Sequence, residues 1–153
     1  MNKLKKIILS LSLCLLTGCS AVSISFNDDV DFDEDTTETI SEDTRTDQKD
    51  EVALYLHVYN HLPENFMTKE EARKNGWEHG ALSTVLEGYS IGGDHYGNYE
   101  GVLPEDNEYH ECDIDTEGKS SRGAKRIVYS EDGDIWYTED HYEHFELLYG
   151  DGD

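Results

Sequence analysis

Apolar positions follow a helical period just beyond residue 51 and a strand period later, so helices precede strands. Val52, Tyr55, Leu56 and Tyr59 recur at i, i+3, i+4 and i+7, one face of an amphipathic helix. Pro63 is the expected stop, because Leu62 before it is biased to extended geometry. A second helix starts at Thr68-Lys69-Glu70-Glu71, where Thr68 and Glu71 form a capping box. Gly76 suits the left-handed position that ends it. The period changes after Gly92-Gly93. Arg126–Ser130 and Asp134–Thr138 are β-rich runs joined through Glu131-Asp132-Gly133, a hairpin signal. His141–Tyr149 reads as the last strand. Helices first and strands afterwards predict an α+β fold with an antiparallel sheet.

The segment before this pattern is of another kind. Lys3, Lys5 and Lys6 precede a ten-residue, mostly apolar run, Ile7 to Leu16. A spanning helix needs about 20 such residues, so residues 1–18 read as a signal peptide. Leu16-Thr17-Gly18-Cys19 resembles the lipobox of bacterial lipoproteins, in which Cys19 becomes the lipid attachment site. The plainer alternative is a secretory signal with a chance Cys. Residues 19–50 carry no Pro, no Gly and only two aromatics, Phe26 and Phe32, and from 20 to 51 there are 12 acids against Arg45 and Lys49. Like charges and little apolar surface predict a disordered acidic tether. Residues 51–149 form the expected domain, and 150–153 a C-terminal tail. About 100 residues can bury a modest core.

Charge narrows the function. The chain has 35 Asp+Glu against 12 Lys+Arg, a net of −23. That excludes a broadly basic DNA-coating protein, since phosphate neutralisation needs surplus cations. One short apolar run excludes a transmembrane bundle. Three cysteines (Cys14, Cys19, Cys112) make no disulfide framework. With the signal removed and Cys19 lipidated, only Cys112 remains, expected to fill a small buried site. Of the seven basic residues after position 51, Lys119, Arg122, Lys125 and Arg126 sit within eight positions.

The order of motifs is informative. Tyr55-Leu56-x-x-Tyr59-x-x-Leu62-Pro63-x-Asn65-x-x-Thr68-Lys69-x-Glu71-Ala72 precedes Gly76-Trp77. Ser90-Ile91-Gly92-Gly93-Asp94 and Asn98-x-Glu100-Gly101-x-Leu103-Pro104 follow. Then come Glu111-x-Asp113-Ile114, Arg122-x-x-x-Arg126-Ile127-x-Tyr129-Ser130 and Thr138-x-Asp140-His141-Tyr142-x-x-Phe145. This order resembles the barnase–binase family of guanyl-preferring bacterial ribonucleases across 52–149. The resemblance implies helices packed on one face of an antiparallel sheet, a secreted monomer and no cofactor or metal.

RNA cleavage without a metal needs a base for the 2′-OH, an acid for the 5′-oxygen, cations for the phosphorane and a base pocket. The resemblance assigns Glu111 as general base and His141 as general acid. It assigns Arg122, Arg126 and Lys69 as phosphate-binding cations. Asn98, Tyr99, Glu100 and Tyr142 match the substrate-binding positions. A carboxylate such as Glu100 accepts both N1–H and N2–H of guanine. Tyr99 departs from the family, which usually has a basic residue there. Fungal guanyl ribonucleases carry Tyr in a similar Asn-Tyr-Glu context, and stacking contributes roughly 1–3 kcal/mol per base.

Each residue alone has a plainer reading: Glu111 a solvated carboxylate, His141 a surface or core His, Arg122 and Arg126 sheet-edge ion pairs. Two constellations point elsewhere. Asp113-x-Asp115-x-Glu117-Gly118 imitates an EF-hand loop but has Ala124 at the twelfth position. His110, Cys112 and Asp113 are too contiguous for a zinc set, since alternate strand residues face opposite ways. Two other functions stay open: a ribonuclease-fold binding module of weak activity, and an acidic cation-binding surface lipoprotein. A barstar-like protein inhibitor is needed only if active enzyme appears in the producing cell's cytoplasm.

Overall fold

The computed structural model describes residues 38–153. The signal segment 1–18, Cys19 and the tether as far as residue 37 lie outside the described residues. Helix α1 spans Lys49–Tyr59, β1 Phe66–Met67 and α2 Lys69–Lys74, followed by a short 3-10 turn at Leu82–Thr84. Strands β2 (Ser90–Tyr96), β3 (Tyr109–Asp113), β4 (Arg126–Ser130), β5 (Ile135–Thr138) and β6 (Glu146–Tyr149) complete the order. The six strands form one sheet in sequence order, with β1 parallel to β2 and all other neighbours antiparallel. The architecture is the expected α+β.

Asp50 and Glu51 in the first turn of α1 complement the helix dipole. The helix ends at Asn60 rather than being stopped by Pro63. Asn60 is left-handed at φ 56°, and its N–H bonds Leu56 O. Asn tolerates that conformation because its short polar side chain can hydrogen-bond locally. In α2 the capping box forms in both directions: Thr68 Oγ1 accepts from Glu71 N, and the Glu71 carboxylate accepts from Thr68 N. Gly76 is left-handed at φ 90°, as expected just past the helix.

The pleat of the sheet separates core from site, because successive side chains point to opposite faces. Cys112, Ile127, Ile135 and Tyr137 point toward α1 and pack with Val52, Ala53 and Leu56. The opposite parity on β3 and β4, with Tyr109, Glu111, Asp113, Arg126 and Val128, faces away from α1. A smaller cluster of Leu103, Tyr109 and Val128, flanked by Tyr96, Trp136, Tyr142 and Phe145, lies on that second face. Gly92 is required where β2 meets β3: a Cβ there would stand 2.7 Å from both Cys112 Cβ and the Phe66 ring. Cys112 is buried in the main core, as expected, and burial raises its thiol pKa.

Packed structure begins before the expected boundary at residue 51. Asp47 is buried, and its carboxylate accepts from Thr116 N (2.6 Å) and Glu117 N (2.8 Å). Thr46 and Asn65 exchange backbone–amide bonds. The Tyr55 and Tyr59 hydroxyls donate to the carbonyls of Glu42 and Ile40. Residues 40–48 are therefore a strap on the domain, not part of a free tether. The acidic composition that suggested disorder is offset here by backbone N–H donors to Asp47.

The C-terminal residues are tied as well, through Asp151 N and Gly152 N to Asp134 Oδ1. The last strand is shorter than His141–Tyr149. Residues 139–145 form a bend in which His141 (φ 60°) and Tyr142 (φ 73°) are both left-handed, which no strand accommodates.

Candidate active site

Glu111 sits in the middle of β3 with 8% of its surface exposed. Both of its oxygens are engaged. Lys69 Nζ donates to Oε1 at 3.0 Å, and the Tyr142 hydroxyl donates to Oε2. Lys69 reaches that position because it opens α2, and its N–H bonds Asp94 Oδ2 on β2 at 2.9 Å. A register shift between Gly92 and Asp94, with Gly93 at φ 95°, brings Asp94 opposite Glu111. This bulge re-aims the strand toward the site.

One step along the same face, Asp113 collects two arginines. Arg122 donates Nε and Nη2 to its two oxygens, each at 2.8 Å. Arg126 Nε lies 3.1 Å from Oδ1, off the line of a good hydrogen bond. Arg126 Nη1 donates to the carbonyls of Arg122, Gly123 and Lys125. Its side chain is 3% exposed and forms the floor of the patch. Burial opposes the charge of Arg122, but the Asp113 bond and charge outweigh it and raise its pKa. Lys69, Arg122 and Arg126 stand against Glu111, Asp113 and Asp94, so the patch is close to neutral within a strongly acidic chain.

The bend after β5 supplies the rest. His141 is exposed, its N–H bonds Ala124 O at 3.2 Å, and its ring centroid lies 4.7 Å from that of Tyr142. Tyr142 N is held by Thr138 Oγ1 at 3.0 Å. Burial first, then the Glu111 bond and charge, push the Tyr142 phenol pKa up. Tyr142 stacks on Tyr96 with centroids 5.1 Å apart.

The structure thus brings together Lys69, Glu111, Arg122, Arg126 and Tyr142, with His141 joined through Tyr142. The Asn98–Glu100 loop is arranged differently from a simple row of contacts. Both ends of the Asn98 amide are taken by Leu103, Nδ2 to O at 2.8 Å and Oδ1 from N at 3.1 Å. Asn98 therefore shapes the loop, at φ 44°. Tyr99 is 93% exposed, with its ring over Gly97, and Glu100 is exposed.

Sequence reasoning missed Asp113, Asp94 and Tyr96 as site residues. Asp113 was findable, since i and i+2 on a strand share a face with Glu111. Tyr96 borders the Asn98–Glu100 loop, but its stack on Tyr142 joins positions far apart in the chain. The EF-hand-like stretch gathers no ligand set: Asp113 faces the arginines and Asp115 pairs with Lys125 at 2.6 Å. His110 and Cys112 lie on the opposite parity from Asp113, so they form no zinc set with it. Among the described residues, ligand atoms of Asp140, Glu143 and His144 lie within 4.8 Å of one another.

A family model described as ribonuclease matches residues 45–149. A protein named Ribonuclease from Heyndrickxia coagulans is 44% identical over 103 residues, covering 65% of this chain and 94% of its own length. A protein of the same name from Bacillus intermedius is 43% identical over 103 residues, 65% of this chain and 63% of that protein. Guanyl-specific ribonuclease St from Saccharopolyspora erythraea is 44% identical over 61 residues, 39% of this chain and 60% of its own length. A model match from residue 45 onward, on a sheet face that presents a held carboxylate beside paired arginines, places the chain in the ribonuclease family, the barnase–binase family that its motif order resembles.

Proposed function

We propose that this ribonuclease cleaves single-stranded RNA 3′ of guanosine, by transesterification to a 2′,3′-cyclic phosphate and then hydrolysis to a 3′-phosphate. The observation that carries the reading is the Glu111 carboxylate, with Lys69 on one oxygen and the Tyr142 hydroxyl on the other. Arriving substrate displaces Tyr142 from Oε2, and that oxygen takes the 2′-OH proton. His141, exposed and carried on its bend, gives a proton to the departing 5′-oxygen. Lys69, Arg122 and Arg126 stabilise the charge gathering on phosphorus. In the hydrolytic step the acid and base roles are exchanged.

Guanine preference rests on Glu100, whose exposed carboxylate accepts N1–H and N2–H, and on Tyr99 as a stacking surface. Two similar proteins are named guanyl-specific ribonucleases, which supports the same reading. Asn98 acts by shaping the loop. The enzyme works outside the cytoplasm as a monomer, anchored to the membrane through lipid on Cys19. Every role is filled by a side chain, so no metal is required.

The test uses GpA and ApA in EDTA. GpA should be cleaved much faster, and Glu100→Gln should narrow the gap. Equal rates on both dinucleotides would refute the guanine assignment. Complete loss of activity in EDTA would refute the metal-free mechanism. Cys19→Ala should release the protein from the membrane fraction or leave it unprocessed. Unmodified Cys19 in the wild-type protein, by mass spectrometry, would refute the anchor.

A further inference from the structure

The bend between β5 and β6 gathers three metal-ligating side chains that the cleavage reading does not use. Ligand atoms of Asp140, Glu143 and His144 all lie within 4.8 Å of one another. Ligand distances of about 2.0–2.2 Å around one ion place donors up to about 4 Å apart. Small rotations of the exposed Glu143 and His144 side chains close the difference. The Asp140 carboxylate is already oriented: Oδ1 accepts from Thr138 Oγ1 and from His144 N, each at 3.0 Å. Oδ2 is hydrogen-bonded to His144 Nδ1 at 2.6 Å, a contact in which the ion would take the place of the shared proton.

The surroundings favour a cation. A depression of about 320 Å³ is lined by Tyr137, Glu139, Asp140, His144, Phe145 and Glu146, with no Lys or Arg among them. Lys49 lies over the Tyr137 ring, 5.0 Å from its centroid, and reaches Glu146 at 3.9 Å, so it sits at one edge of the depression, while Glu139 has no ion pair among the described residues. The His144 side chain is 86% exposed and Glu143 is exposed, so an ion enters from solvent without opening the fold.

The donor set selects the class of ion. Calcium and magnesium take oxygen ligands. An imidazole beside two carboxylates suits a borderline divalent ion such as zinc. We propose that Asp140, Glu143 and His144 bind one divalent transition-metal ion of the zinc class, with water completing its coordination. The site is separate from the residues assigned to RNA cleavage. Because Asp140 and Glu143 flank His141 and Tyr142, a bound ion ties together the two ends of the bend that carries them.

The full chain should be titrated with ZnCl₂ by calorimetry beside His144→Ala and Glu143→Gln. Cobalt(II) serves as a visible reporter of nitrogen ligation. Wild type should bind one equivalent that His144→Ala weakens by at least the ~10–100-fold that loss of an outer-shell partner alone produces. Zinc should raise the Tm of wild type and not that of His144→Ala, while equal CaCl₂ leaves both in place. Both replaced side chains are exposed, so the metal-free variants should unfold like wild type. Unchanged zinc affinity and stoichiometry in both variants would overturn the site. Equal binding of calcium and zinc would reduce it to diffuse attraction by acidic groups and overturn the assigned class.

Discussion

Asp113→Asn tests whether one buried carboxylate organises the cationic half of the site. Asp113 is 1% exposed, accepts two bonds from Arg122 and lies 3.1 Å from Arg126 Nε. The substitution keeps the shape and removes the charge. Taking one partner from a buried ion pair costs about 3–5 kcal/mol. Arg122 is about a quarter exposed and regains some hydration, whereas Arg126 at 3% does not. The lower end, about 3 kcal/mol, is expected. With a urea m-value of about 1–3 kcal/mol/M, the unfolding midpoint should fall by roughly 1–3 M. The control is Asp115→Asn, which breaks the pair with Lys125, where both side chains are partly exposed. Such pairs contribute about 0–1 kcal/mol. In urea melts Asp113→Asn should therefore shift far more than Asp115→Asn, and kcat/KM should fall with the loss of guanidinium alignment. Equal shifts for the two variants would refute the reasoning.

His141→Ala should lower cleavage about 10²–10⁴-fold, and because the side chain is exposed its urea midpoint should fall only by what a left-handed backbone at φ 60° costs Ala over His. On long RNA, kcat/KM should rise between about 0.01 and 0.15 M salt, as the Debye length shrinks from about 30 to about 8 Å and screens the acidic surface. It should fall at higher salt as phosphate contacts weaken; a monotonic fall from the lowest salt would show that the basic patch dominates. Tyr129 and Tyr142 have pKa values raised, chiefly by burial, above the ordinary value near 10. The folded state then holds protons that the unfolded state has lost, so stability is full below about pH 10 and declines as pH rises beyond it. Absorbance titration at 295 nm should show these phenols ionising only with unfolding, and their early titration in the native protein would contradict it.

The features legible in the sequence were local ones. The capping box at Thr68 and Glu71, the turn at Glu131-Asp132-Gly133 and the helical face of Val52 and Leu56 depend on residues a few positions apart. Short-range hydrogen bonds and side-chain periodicity encode them directly. Motif order along the chain carried the likeness to ribonucleases and the names of Glu111, His141, Lys69, Arg122 and Arg126. The tertiary structure decided what depends on distant partners. Residues 40–48 read as tether because composition lacks the Thr116 and Glu117 N–H groups that hold Asp47, about 70 positions away. The bend at His141 and Tyr142 read as strand because left-handed backbone leaves no mark in a run of β-forming residues. Asp113 read as the start of an EF-hand-like stretch until the sheet set it beside both arginines. Lys69 meets Glu111 across 42 positions, and Tyr142 meets it across 31. Those meetings follow from strand register and a one-residue bulge, and a shift by one position would turn Glu111 into the core.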